Sequence, residues 1–329
     1  MLRVALDLLP VDARSRHGCL RDYFCDKDAI ATIVDDKWQL ELAWNGGVER
    51  HVDRRIEREL LAWGGIGLAE MATAKHRSGR VLTALYDTWT LWSWCQWVAR
   101  ENPAGDERIT VLHLDDHRDL ASPRLVNSGE GLCDLITGLP FDVRDPVTVH
   151  AACESGAVGM GSFLTPFLLA FPNCDVRQLG QPPKIKETRD YLVEPAAVID
   201  QLLAPGTERP AVILEPTTGV GAGHYRATND LTAWLENIAP GPVLLHIDMD
   251  YFNNRYDGDC DWPDRYPRHD PPIGVVLDRI DAVTAAIRNA GILRRVEDAV
   301  VAFSPGFFPA EMWQPAETRL RAGLAELYD

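Results

Sequence analysis

From residue 81 onward the chain alternates short apolar runs with longer amphipathic ones, and this alternation most restricts its fold. The runs are Val81–Tyr86, Ile109–Leu114, Ala211–Leu214, Val243–Ile247 and Ala299–Phe303. Each carries apolar residues on both faces, so both faces of the strand it forms need cover, as in a parallel sheet flanked by helices. Between them, Trp89–Arg100 reads as a Trp-rich helix, and Ile273–Asn289 places Val276, Leu277, Ile280, Val283 and Ile287 at helical spacing. The expected fold is α/β, with a mostly parallel central sheet.

The first 75 residues read differently. Ile30–Val34, a turn at Asp35-Asp36 and the alternating Trp38–Trp44 form a hairpin. A charged helix follows from about Val52 to Trp63, stopped by Gly64-Gly65. The expected organisation is therefore an N-terminal elaboration over residues 1–75 and one α/β domain over 76–329. Pro/Gly-rich stretches at 138–146, 172–184 and 257–273 read as surface loops, where substrate-binding residues commonly lie.

Composition removes several classes of function. With 33 Lys+Arg against 49 Asp+Glu the formal net charge is −16, which argues against a nucleic-acid partner. No window approaches the run of about 18 apolar residues that a membrane span requires, and the N-terminus lacks the pattern of a signal peptide. Seven scattered cysteines with no CxxC pair fit neither a disulfide framework nor a zinc ribbon. They fit a reduced, cytoplasmic compartment. Assembly as a homo-oligomer is left open.

Two of the apolar runs end in acidic clusters. Leu114-Asp115-Asp116-His117-Arg118-Asp119 puts Asp115, His117 and Asp119 on one side for as long as the chain stays extended. In His246-Ile247-Asp248-Met249-Asp250, Asp248 and Asp250 share a face in the same way. Ligands of open α/β sheets bind beyond the carboxyl ends of the strands. Four carboxylates and an imidazole gathered there repel one another unless a cation neutralises them. Mixed oxygen and nitrogen donors suit Mn²⁺, and the excess of carboxylates suits two ions bridged by shared Asp groups. Read blandly, the same residues are strand-end caps and loop carboxylates.

Asp-x-His-x-Asp on one strand with Asp-x-Asp on a later one resembles the ureohydrolase (arginase/agmatinase) superfamily. Ile247-Asp248-Met249-Asp250-Tyr251-Phe252 and Ser304-Pro305-Gly306-Phe307-Phe308-Pro309 are similar to its arginase-like branch, which includes the peptide arginases. The resemblance covers residues 80–315, with motifs totalling under twenty residues. It implies a three-layer α/β/α arginase-like fold and two Mn²⁺ ions. Asp115 and Asp248 would bridge the ions, His117 and Asp250 would hold one, and Asp119 the other. It further implies hydrolysis of an arginine guanidinium to urea and ornithine, with His117, Asp119 and His246 as catalytic candidates.

The chain also departs from that pattern. The expected earlier metal-binding His falls at Tyr86-Asp87-Thr88-Trp89, which has none, so His76 or Asp87 becomes the substitute, or that ion is held weakly. The Asn that would anchor a free amino acid's carboxylate is Ala121, and the shuttle His is Leu132, although Ser128-Gly129 keeps its distance from Asp119. Loss of the anchor favours arginine within a peptide over the free amino acid. Ala302 stands where the guanidinium-gripping acid is expected, so Glu311, or else Glu154, takes that role, with Ser128 as a further substrate contact.

Other residues have simpler readings. Gly219–Gly223 lacks the Lys-Ser/Thr of a phosphate loop and reads as a flexible loop, with His224 a surface histidine or a shuttle. His113 and His246 read as hydrogen-bonded core histidines, His246 also as a group acting from behind the metal motif. Trp89, Trp92, Trp94 and Trp97 read as core, or as a peptide groove. No Gly-x-Ser-x-Gly elbow is present. The rival functions are hydrolysis of a free guanidino compound, a deacetylase-like single-zinc amidohydrolase using Asp115, His117 and Asp248, and a non-catalytic binding protein.

Overall fold

A computed structural model describes residues 2–44, 53–219, 222–258 and 270–329. The N-terminal sheet contains β1 (Leu2–Ala5), β2 (Lys27–Val34) and β3 (Lys37–Trp44) in the order β1-β3-β2, with helix α1 (Ala13–Phe24) between β1 and β2. The expected hairpin is present. Asp35 and Asp36 have φ of 51° and 56°, and a two-residue turn with both φ positive follows the twist of the strands it joins. Leu20, Phe24, Trp38 and Leu40 form a small core of their own.

Helix α2 (Ile56–Gly64) ends where Gly65 enters the left-handed region at φ 67°, the expected stop signal. The proposed start at Val52 lies outside the described residues. Ile56, Leu60 and Met71 join the main core, so the main core begins before residue 75.

The large sheet begins with β4 (Lys75–Ser78), β5 (Val81–Ala84) and β6 (Thr110–Leu114), with α3 (Leu68–Met71) before β4 and α4 (Trp89–Glu101) between β5 and β6. A small antiparallel sheet of β7 (Leu125–Asn127), β8 (Leu132–Asp134) and β9 (Pro140–Phe141) follows. Next come α5 (Pro146–Ser155), α6 (Leu164–Ala170), β10 (Asp175–Leu179), β11 (Arg189–Ile199), β12 (Glu208–Thr217), β13 (His224–Thr228) and α7 (Leu231–Leu235). The chain closes with β14 (Val243–Asp248), α8 (Ile273–Asn289), β15 (Val296–Ala302), α9 (Trp313–Gly323) and α10 (Ala325–Tyr328). The large sheet has the order β12-β11-β13-β10-β6-β14-β15-β5-β4. Its strands from β13 to β5 pair in parallel, while β12 and β11 on one side and β4 on the other are antiparallel. The architecture is α/β with a mixed, mostly parallel central sheet, compatible with three layers.

Three readings need correction. The stretch 172–184 is not simply a surface loop, since it contains β10, a fully buried strand in the interior of the sheet. His224 is likewise no surface residue; it is fully buried at the start of β13. Neither strand reads as an apolar run because each buries polar residues, paired within the strand or with groups distant in sequence. In β10, Arg177 donates to Asp175 from Nε and Nη2 (2.9 and 3.0 Å), and Gln178 accepts from the Tyr225 hydroxyl (2.9 Å). In β13, the ring nitrogens of His224 lie 3.0 Å from Asp175 and 2.9 Å from Asp190.

Ala211–Leu214 is also not a core parallel strand, because it lies within the antiparallel edge strand β12, where Ile213 is exposed. Residues 138–146 contribute β9, and of 257–273 the residues 259–269 lie outside the described chain. Val220 and Gly221 of the glycine loop do too.

The Trp-rich helix is core: Trp89, Trp94 and Trp97 are buried. Cys19, Cys25, Cys95, Cys133, Cys153 and Cys174 are free thiols. Among the described residues no helix is long and apolar enough to cross a membrane.

Candidate metal centre

Sheet register assembles the site. β6 and β14 are parallel neighbours with His113 beside His246 and Leu114 beside Ile247, so the next residues, Asp115 and Asp248, emerge together at the carboxyl edge. On the other side of β14, Asp248 pairs with Ala302 of β15, and Ala302 with Ala84 of β5. The chain beyond β15 then supplies Ser304 and the chain beyond β5 supplies Asp87.

Asp115 stands at the centre. Its Oδ1 accepts from the backbone N–H of His117 (2.5 Å), and its Oδ2 lies 3.3 Å from His246 Nε2 and 3.8 Å from His113 Nε2. Asp119 does not continue the strand: its φ of 54° turns the chain, and its Oδ2 comes 3.6 Å from His113 Nε2. The alternating register of Asp115, His117 and Asp119 is therefore broken, and the residues separate into two groups that share Asp115. His113, Asp115, Asp119 and His246 form a fully buried cluster that could hold a metal ion. Asp115, His117 and Asp250 form a second. In that one His117 Nδ1 lies 2.8 Å from Asp250 Oδ2. The rings of His113 and His246 stack 5.1 Å apart.

Burial and mutual repulsion set the charges. Burial, then Asp115 and Asp87, push the Asp119 carboxyl well above the usual carboxylate range. Asp248 is pushed the same way by burial and then by Asp250, Asp115 and Asp87. Asp87 follows through burial and Asp26, and Asp250 rises to about 6 through burial and Asp115. Burial also works against the Asp115 anion, but hydrogen bonds from His117 and His246 outweigh it and hold this carboxyl well below its ordinary value. Burial lowers His113 to about 4, leaving it a neutral imidazole able to ligate. His117 moves upward, because Asp250, Asp115 and Asp257 overcome its burial.

The donor set fits a cation on structural grounds as well. Among the described residues Asp119 Oδ2 and Asp87 Oδ1 are buried without a hydrogen-bond partner, which is costly unless something else satisfies them. A cavity of about 430 Å³ opens onto this edge, and Asp26, Asp87, His117, Asp119, Asp248 and Asp250 line it. Leu120, Ala121, Met160 and Phe307 supply apolar wall.

The remaining sequence candidates are scattered. Asp87 and Asp248 reach the cavity but belong to neither ligand cluster, so of the two expected bridging residues only Asp115 is shared between the clusters. His76 lies on β4 beside Arg321 and Glu317, away from the centre. Glu311 accepts from Arg255 Nη1 (2.7 Å), Glu154 is an exposed partner of His150, and Ser128 caps an exposed turn by donating to Gly131 O; none of the three lines the cavity.

Sequence reading passed over Asp26, which enters the cavity from the N-terminal elaboration, and treated His113 as core alone. The signal available for His113 was its position two residues before Asp115, matching that of His246 before Asp248.

No protein-family model and no curated protein matches this chain.

Proposed function

We propose that this chain is a Mn²⁺-dependent hydrolase of the arginase-like type that acts on arginine residues within a peptide, releasing urea and leaving ornithine. The observation that carries the reading is Asp115 shared between two ligand clusters, whose His117, Asp119 and Asp250 line an acidic cavity. His113, Asp115, Asp119 and His246 would hold one ion, and Asp115, His117 and Asp250 the other. When bound, such ions offset the carboxylate charge and bring the pKa of water toward neutrality.

The chain's own groups do the rest. Asp87 lies outside both clusters, and its Oδ1 is a buried acceptor without a partner among the described residues, suited to a guanidinium N–H. Asp26 and Asp248 place two more carboxyl groups on the same walls, acceptors suited to a cationic group rather than an apolar one. Ala121, with Leu120, makes that part of the wall apolar, so an α-carboxylate finds no anchor there while a peptide bond is tolerated. Ser304 donates to Asp248 Oδ2 (2.6 Å) and fixes its orientation.

The test is incubation of the purified protein and Mn²⁺ with arginine-containing peptides, reading urea and the conversion of arginine to ornithine by mass spectrometry. Asp248→Ala should abolish both. Absence of urea from every peptide, free arginine and agmatine overturns the reading, whereas urea from the free compounds alone moves the substrate to a small guanidino molecule.

One observation favours a second reading. Two imidazoles flank Asp115 in the buried cluster, a donor set that zinc accepts. A single-zinc amidohydrolase would show one zinc per chain by elemental analysis and would cleave an acyl-lysine amide.

A further inference from the structure

We infer that a second, basic cavity beside the acidic one binds a carboxylate of the substrate. This rests on the reading of the acidic cavity as the place of a cationic side chain, and it names what that substrate carries in addition.

The cavity measures about 210 Å³ and lies between the segment joining β10 to β11 and the turn after β6. Its charged lining is Arg118, Lys184, Lys186, Glu187 and Arg189. In a chain of net charge −16, four cations against one carboxylate is a local reversal of sign. Two of the cations are already matched. Lys184 Nζ lies 2.9 Å from Asp116 and 3.0 Å from Asp257, and Arg189 Nη2 donates to Glu187 (2.6 Å). Arg118 and Lys186 make no ion pair among the described residues. Arg118 lies instead over the ring of Tyr191, 5.6 Å from its centroid, which orients the guanidinium without neutralising it.

The two cavities share a wall. Arg118 stands between His117 and Asp119, which line the acidic cavity, and Lys184 Nζ approaches His117 Nε2 to 3.0 Å. A ligand with a guanidinium in one cavity and an anion in the other therefore spans a single turn of chain. Arg118 supplies a planar fork that matches a carboxylate, and Lys186 a second positive charge. The carboxylate has two sources, an acidic side chain near the arginine of a peptide or the α-carboxylate of a free guanidino acid.

Titration calorimetry on the full-length chain tests this with blocked peptides carrying one arginine and one glutamate at successive positions on either side. The controls place Gln for the glutamate or citrulline for the arginine, and arginine is compared with agmatine. In at least one register the glutamate peptide should bind about five-fold more tightly than its Gln counterpart, the size of one well-placed exposed ion pair. The double variant Arg118→Gln/Lys186→Gln should erase that difference, and Arg118→Lys/Lys186→Arg should retain part of it. A preference for arginine over agmatine, lost in the same double variant, supports the cavity with the α-carboxylate as its source. Equal affinities throughout both comparisons, or a glutamate preference that survives the double variant, overturn the proposal. A glutamate preference that persists in the citrulline series while no peptide yields urea leaves the basic cavity standing and removes the guanidine reading.

Discussion

Asp26 and Met160 are joined by the backbone N–H of Met160, which lies 3.0 Å from one carboxylate oxygen of Asp26 and 2.9 Å from the other. Asp26 immediately precedes β2, and the same carboxylate accepts from the hydroxyl of Thr88 (3.1 Å) just ahead of α4. The N-terminal elaboration is thus bonded into the cavity wall and forms part of it.

Asp26→Ala should lower stability by about 1–3 kcal/mol, because it leaves the half-buried Met160 N–H and the buried Thr88 hydroxyl without this acceptor. Asp26→Asn keeps one acceptor oxygen and should lose less. Urea denaturation followed by circular dichroism reads the difference, and equal stability of all three proteins would contradict the role assigned to this contact.

The acidic cluster dictates an unusual dependence on pH in the chelator-treated protein. Asp250 rises from 3.8 to about 6, and Asp87, Asp119 and Asp248 rise well above 3.8. Over that window the folded chain holds protons that the unfolded chain has released, so stability falls as pH rises. His113, lowered from 6.5 to about 4, acts in the opposite sense as a single group. Asp115 and Asp257, both lowered, lose their contribution only as pH falls below 3.8. The expected net result is a melting temperature that declines from pH 4 to pH 6 with chelator. Saturating Mn²⁺ should reverse the decline, adding about 2.7 kcal/mol at a hundred times its dissociation constant. Differential scanning fluorimetry with and without metal checks both, and a melting temperature indifferent to Mn²⁺ and Zn²⁺ would speak against the metal centre.

Ser304 holds Asp248 from behind with a 2.6 Å hydrogen bond, and its own φ is 44°. Ser304→Ala removes the bond while keeping the backbone strain, and Ser304→Gly removes both. Both should slow urea release by about ten-fold and leave Mn²⁺ affinity nearly unchanged, since Asp248 lines the cavity but belongs to neither ligand cluster. The Gly variant should be the more stable of the two. Urea assays, calorimetric titration with Mn²⁺ and thermal melts separate these effects.

His224 ties β13 to β10 and β11 through Asp175 and Asp190. His224→Ala withdraws a partner from each carboxylate and opens a buried hole, at an expected loss of about 3 kcal/mol. Metal affinity should be unchanged, since His224 belongs to neither ligand cluster. Paired denaturation and metal titration measure this, and a lowered metal affinity at full stability would contradict the structural role.

Much of the fold was legible because its signals are local. The apolar runs at β5, β6, β14 and β15, the helix α8 and the Asp35-Asp36 hairpin each follow from residues adjacent in sequence. The acidic clusters after β6 and within β14 were legible for the same reason. What escaped was β10 and β13, whose buried Arg177 pairs with Asp175 in its own strand and whose His224 and Arg226 look like loop residues until Asp175 and Asp190 are placed beside them.

Sequence alone determined the residue types at the carboxyl edge of the sheet, since a run of apolar residues ending in Asp must deliver that Asp where the strand ends. Only the tertiary structure decided how they are grouped. The parallel register of β6 and β14 set His113 beside His246, and the left-handed turn at Asp119 brought that carboxyl back toward His113 and away from an extended line. Spacing along one strand fixes which side a group faces. Distances between groups on different strands depend on register, on where each strand ends, and on what packs over it, and that is how Asp26, about ninety residues earlier than Asp119, came to share its cavity.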